Sequence, residues 1–295
     1  MAAPSVVDRA ATSGFDNAAA YDAHRPSYPP QAVQSLWATW TWRARVFDLA
    51  AGTGKLAELL AAREEQYEIL AVEPVAKMRD KLAAKGLNGV TVRDGLATKM
   101  DVPDGWADAV IAGQWRDDSL HLKASHDSRF ANEDALEEIR RVLTPGGKLG
   151  MIWNIENCSP NHSPSPLDNQ PEKWTASTKW EQAMKELILS LPPGGPPRFR
   201  DDKWWEVFDR QSRAANPFFS TPVGEERLPF TVRLTKERLW DRINTLSHVA
   251  VLEGADRTAF MARFEQILEE GDGNWNEKGE VEFHGTTPFA WTTRL

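Results

Sequence analysis

Cysteine is almost absent from this chain: Cys158 is the only one among 295 residues. A single thiol excludes an intramolecular disulfide framework and fits a reducing compartment. No histidine neighbours it in the sequence, so it reads as an incidental thiol rather than a nucleophile. Metal-ligand spacing is missing as well. The six histidines are scattered, and neither His-x-x-x-His nor Cys-x-x-Cys occurs, so no metal is expected. No run approaches the roughly 18 apolar residues of a spanning helix. Met1–Ala20 also lacks the apolar stretch of a signal peptide. The expectation is a cytoplasmic protein with no membrane partner. Excess positive charge is lacking too: a net charge of −8 argues against a nucleic-acid substrate, which calls for a basic face. Tryptophan is the residue in surplus. Most of the 13 belong in a core, because indoles bury large apolar area.

The most informative stretch is Arg45–Leu49, then Ala50-Ala51-Gly52-Thr53-Gly54, then Lys55–Ala62 and Ile69–Val72. It reads as strand, glycine turn, helix and second strand, with Glu73 and Pro74 where that strand ends. Gly52 and Gly54 permit a tight turn and close approach of a ligand to backbone amides, so a bulky residue at either is expected to block the ligand more than it harms folding. Glu73 follows the turn by about 20 residues, the distance at which a carboxylate grips ribose hydroxyls. A nucleoside-containing cofactor is therefore expected. A dinucleotide fingerprint would carry a third glycine at Ala57 and would not place Asp48 where a pyrophosphate must sit. An acidic group there suits an ammonium instead, which favours S-adenosylmethionine over a nicotinamide cofactor.

With these residues the chain resembles the class I S-adenosylmethionine-dependent methyltransferases. Asp48, Ala50, Gly52 and Gly54 match the family's first motif, with Ala50 at its first glycine, a position then expected to keep an ordinary negative φ. Glu73 and Pro74 match the ribose and adenine contacts, Asp94 and Gly95 the contact after the third strand, and Gln114 the end of the fourth, Ala107–Gln114. Helix Glu133–Leu143 and the turn Thr144-Pro145-Gly146-Gly147 lead to a fifth strand, Lys148–Trp153. The resemblance covers Tyr21 to about Asn154. It implies an α/β fold with a doubly wound, Rossmann-like, mostly parallel sheet, an antiparallel closing strand and helical insertions that cover the substrate.

Three parts follow along the chain: residues 1–20 as a flexible N-terminus, 21–154 as the cofactor-binding core, and 155–295 as a helical cap with the closing strands. In the last part, helices are expected at Ser177–Leu191, Asp202–Arg213, Lys236–Ser247 and Arg257–Glu270, and extended chain at Arg227–Leu234 and Val281–Arg294.

Tyr21-Asp22-Ala23-His24-Arg25-Pro26-Ser27-Tyr28-Pro29 is similar to the opening of the trans-aconitate methyltransferase-like (methyltransferase type 11) small-molecule branch. That likeness implies that Tyr21 and Arg25 contact the cofactor's methionine carboxylate. The chain departs from the branch after Gln114, where Trp115–Arg129 is a polar insertion. It reads either as a substrate lid supplying His121 or His126, or as a disordered loop or sequence absent from the mature message. His121, His126 and His24 are thus weak candidates for a catalytic base, and the catalytic residue stays unassigned. Trp153 and Asn154, at the end of the fifth strand, are the first choice for a substrate pocket. The function expected is methyl transfer to a small molecule, at a carboxylate or hydroxyl. The alternatives are a non-catalytic S-adenosylmethionine-binding protein and, less favoured, a nicotinamide-dependent oxidoreductase.

Overall fold

The structure is a computed structural model that describes residues 18–37, 42–114, 133–156, 176–191 and 204–295. Five strands run in parallel: β1 (Arg45–Leu49), β2 (Glu68–Val72), β3 (Val90–Arg93), β4 (Ala107–Gly113) and β5 (Leu143–Ile152). Three more complete the sheet: β6 (Ile155–Glu156), β7 (Gly224–Thr235) and β8 (Glu280–Thr293). The order is β3-β2-β1-β4-β5-β8-β6, with β7 on the other edge of β8. The expected antiparallel closing strand is β8, which pairs Lys148 with Thr293 through Ile152 with Phe289.

Strands β1 and β4 read as nearly continuous apolar runs because helices cover both faces. On one face Phe47, Val110, Leu149, Met151 and Trp153 meet α5 (Glu133–Val142) and α7 (Trp205–Ser212). On the other, Val46, Ile69, Ile111 and Ile152 meet α2 (Pro30–Trp37) and α3 (Lys55–Ala61). Each side chain fully buried this way contributes about 1.5–3 kcal/mol. A third apolar cluster joins α6 (Lys179–Ser190), α8 (Lys236–Asn244), α9 (Ser247–Ala250) and α10 (Gly254–Glu270) to Val281 and Phe283 at the start of β8. Two helices remain, α1 (Ala18–His24) and α4 (Ala76–Ala83).

Two of the element boundaries that differ from expectation have clear local reasons. Strand β5 begins at Leu143 rather than after the glycines, because Leu143 already pairs with Ala107 and the register then shifts so that Lys148 faces Ala109. The helix expected over Lys236–Ser247 breaks at Thr245-Leu246. The Thr245 hydroxyl donates back to the Arg242 carbonyl at 2.6 Å, and Leu246 is extended.

Candidate active site

From β1 the chain winds to β2 on one side, and it later crosses to β4 on the other. This reversal opens a crevice at the carboxyl ends of the strands, where open α/β sheets bind ligands. The turn after β1 lies there. It closes through the Gly54 amide, which donates to the Ala51 carbonyl at 2.8 Å. Three of its residues are left-handed: Ala50 at φ 53°, Gly52 at 59° and Gly54 at 89°. The negative φ expected at Ala50 is therefore corrected. The tight reversal between β1 and α3 demands a left-handed residue there, and alanine meets it under strain.

The two glycines have different duties. A Cβ at Gly52 would meet no atom within 4 Å, so its Cα faces open space. A Cβ at Gly54 would lie 2.1 Å from Leu82 Cδ1, inside the small cluster of Ala57, Ala71 and Leu82. Gly54 thus lets α3 pack on α4, and a larger residue there harms folding directly, contrary to the expectation for both glycines.

Glu73, at the end of β2, is 5% exposed. Its two oxygens accept from the amides of Gly52 and Val75, each at 2.8 Å. Burial pushes its carboxyl up, and those two amides pull it back down. Arg79, which sequence reasoning missed, donates to the carbonyls of Glu73 at 2.7 Å and Pro74 at 3.2 Å, and lies 3.3 Å from Asp94. Asp94 is exposed beside Gly95, where a Cβ would press on Val72. The turn, Glu73, Pro74, Asp94 and Gly95 therefore come together as expected.

Asp48 has no solvent exposure, and neither carboxylate oxygen has a hydrogen-bond partner. Burial, with the charge of Glu73 adding to it, raises its pKa to about 8; the Ala57 amide opposes this weakly. Such a buried, unsatisfied acid is costly unless a ligand's charge repays it.

Above these groups passes residues 18–28. Tyr28, buried at 7%, shares a hydrogen bond with Gln114, and its hydroxyl lies where a Cβ on Gly113 would stand. Burial raises the Tyr28 phenol well above its ordinary range, and the charge of Asp48 adds to that. Gln114 is itself left-handed at φ 53°. The Arg25 guanidinium lies 5.4 Å from the Tyr21 ring centroid and donates to the Thr245 carbonyl at 3.4 Å. Its Nε is buried without a partner.

The other candidates divide. Asn154 donates to the carbonyls of Pro26 and Ser27 at 3.5 and 3.2 Å and accepts from Thr287 at 2.7 Å, so it ties this segment to the sheet. Trp153 is 1% exposed and packs on Trp204 at 5.2 Å between centroids. It belongs to the core and not to a substrate pocket, because its side chain leaves β5 on the face covered by α5 and α7. His24 lies 3.8 Å from Asp241. His121, His126 and all of Trp115–Arg129 lie outside the described residues. Among the described residues no cluster of metal ligands occurs, and no helix is long and apolar enough to cross a membrane.

A family of methyltransferase domains matches residues 46–147, which span β1 to the start of β5. An uncharacterized methyltransferase of Mycobacterium tuberculosis is 37% identical over 252 residues, covering 84% of this chain and 82% of that protein. The chain belongs to the class I S-adenosylmethionine-dependent methyltransferases. This methyltransferase is also similar to an uncharacterized methyltransferase-like protein of Schizosaccharomyces pombe, 29% identical over 251 residues and covering 84% and 82% of the two chains. A solved structure, Haemonchus contortus phosphoethanolamine N-methyltransferase 2 in complex with S-adenosyl-L-methionine, is 13% identical. That match covers 95% of this chain and 56% of that one at a TM-score of 0.47. The cofactor of this methyltransferase is S-adenosylmethionine.

Proposed function

We propose that this methyltransferase transfers a methyl group to an oxygen of a small-molecule acceptor, a carboxylate in preference to a hydroxyl. In this reading residues 21–154 hold the cofactor and residues 155–295 cap the acceptor. The observation that carries the cofactor site is the buried, unpartnered Asp48 beside the open Gly52 turn and Glu73. These groups fit a cationic nucleoside ligand and oppose a pyrophosphate.

Bound S-adenosylmethionine supplies a methyl group on a positively charged sulfur. Glu73 accepts from the ribose hydroxyls, since each of its oxygens keeps a second lone pair after accepting one amide. Pro74 lies against the adenine, and Asp94 and Gly95 border it. Asp48 favours the ammonium end, while Arg25, with its buried free Nε, and Tyr21 meet the methionine carboxylate. Gln114 and Tyr28, hydrogen-bonded to each other at the end of β4, would border the methyl end. Alignment of acceptor, methyl and sulfur is the protein's main contribution, a proximity effect.

A carboxylate acceptor is already ionised and needs no general base, whereas a hydroxyl commonly does. His24 lies 3.8 Å from Asp241 on α8, and this pairing supports the carboxylate. The test is methyl transfer from labelled S-adenosylmethionine to a panel of small carboxylic acids, alcohols and phenols. Transfer to an acid is expected. Cofactor binding with no transfer to any member would favour the non-catalytic reading.

A further inference from the structure

The strongest unexplained feature is a charged knot under α1. Lys85, just past α4, places its Nζ 2.8 Å from Asp22 Oδ1 and 3.0 Å from Glu58 Oε1 on α3. Lys55, the first residue of α3 after the glycine turn, donates to the Asp22 carbonyl at 2.8 Å. The side chains of Lys85 and Asp22 are 14% and 18% exposed, so solvent screens the pair only in part. Burial acts against the Asp22 carboxylate, yet the Lys85 hydrogen bond holds its pKa below the ordinary value. Burial also lowers Lys55.

Past this knot the segment is fastened again. Arg25 reaches the Thr245 carbonyl at the end of α8, and Asn154 holds the carbonyls of Pro26 and Ser27. Residues 22–28 therefore run as a strap from α3 and α4, across the ends of β1, β4 and β5, to the helical cap. Under it Asp48, whose charge acts on Tyr28, has no solvent exposure. A ligand that meets Asp48 must pass the strap. Among the described residues, the knot is the strap's one lysine–carboxylate pair.

Resting on the cofactor site proposed above, we propose that the Asp22–Lys85 pair is the latch that holds this strap closed over bound cofactor, making Asp22 and Lys85 positioning residues. They touch no part of the cofactor and act through the strap, by delaying dissociation. Removing the pair leaves the crevice intact but lets the strap lift more often.

The test is stopped-flow measurement of S-adenosylhomocysteine binding to the full chain. In Lys85→Met and Asp22→Asn the dissociation rate is expected to rise roughly tenfold, the effect of losing one partly buried charge-assisted bond. Association should quicken as well, because an entering ligand must pass the same strap, so affinity should change less than either rate. The double variant should dissociate no faster than Lys85→Met alone, since that substitution already removes the pair with Asp22. Lys85→Arg, which keeps the charge, should restore slow release. Unchanged dissociation in a folded single variant, or multiplying effects in the double, would overturn the latch. If Lys85→Met does not fold, Asp22→Asn against Lys85→Arg decides the matter. Wild type that binds no S-adenosylhomocysteine would instead overturn the cofactor site itself, and the latch with it.

Discussion

Ala50 stands where the β1–α3 turn needs a left-handed residue, at φ 53°. An alanine held there costs about 1–2 kcal/mol relative to a residue without a Cβ. Ala50→Gly is therefore expected to stabilise the protein by about 1 kcal/mol after its own larger loss of chain entropy, raising Tm by about 2–4 °C. An unchanged or lower Tm would show that the turn accommodates the methyl group without strain. This conformation was not legible from residue type, since alanine ordinarily keeps φ negative. Gly52 and Glu73 were legible, because their spacing follows from the geometry of a strand-turn-helix-strand unit. Asp22 and Lys85 were not: 63 residues separate them, and nothing local distinguishes either from a solvated charge.

Asp48 makes a second prediction at this scale. Its folded pKa of about 8 lies above the ordinary 3.8, so between these values the folded state holds a proton that the unfolded chain has released. Stability from this group is full below about pH 4 and declines as pH rises towards 8. Asp48→Asn removes that dependence. Relative to wild type, the variant should gain on the order of a few kcal/mol of stability between pH 4.5 and pH 8 in ligand-free melts. Parallel pH profiles would mean that Asp48 stays ionised in the folded protein.

At the scale of elements, the apolar runs of β1, β2 and β4 and the helical spacing of α5, α6 and α10 were legible because burial imposes those periods. Helix α6 also announces its start: Thr178 accepts from the Glu181 amide, and Glu181 then turns inward to accept from His284 at 2.7 Å. That inward turn was not legible, since a glutamate at this place ordinarily faces water. Nor was the full length of the β7–β8 pair, whose register runs from Gly224–Trp291 to Thr235–Glu280 around three inserted helices. Charged residues such as Arg227 and Glu225 interrupt the alternation, yet they pair with each other along β7. The break of α8 at Thr245 escaped notice because a hydroxyl bonding back to its own helix leaves no mark on the apolar pattern.

At the scale of the molecule, the strand order places the ends of β2, β1 and β4 side by side, and residues 18–28 cross the ends of β1 and β4. The cofactor half of the site was visible in the sequence because its motifs lie on consecutive elements. The contact of α1 and the residues after it with α8 was not, because it joins distant parts of the chain. The central claim is that S-adenosylmethionine binds in this crevice with its ribose on Glu73. Calorimetric titration of S-adenosylhomocysteine into wild type and Glu73→Gln tests it most directly, with melts of both to establish folding. One-to-one binding to wild type is expected, weakened by about 1.5–3 kcal/mol, or more than tenfold, in the variant. Equal affinities for the two folded proteins would contradict the claim.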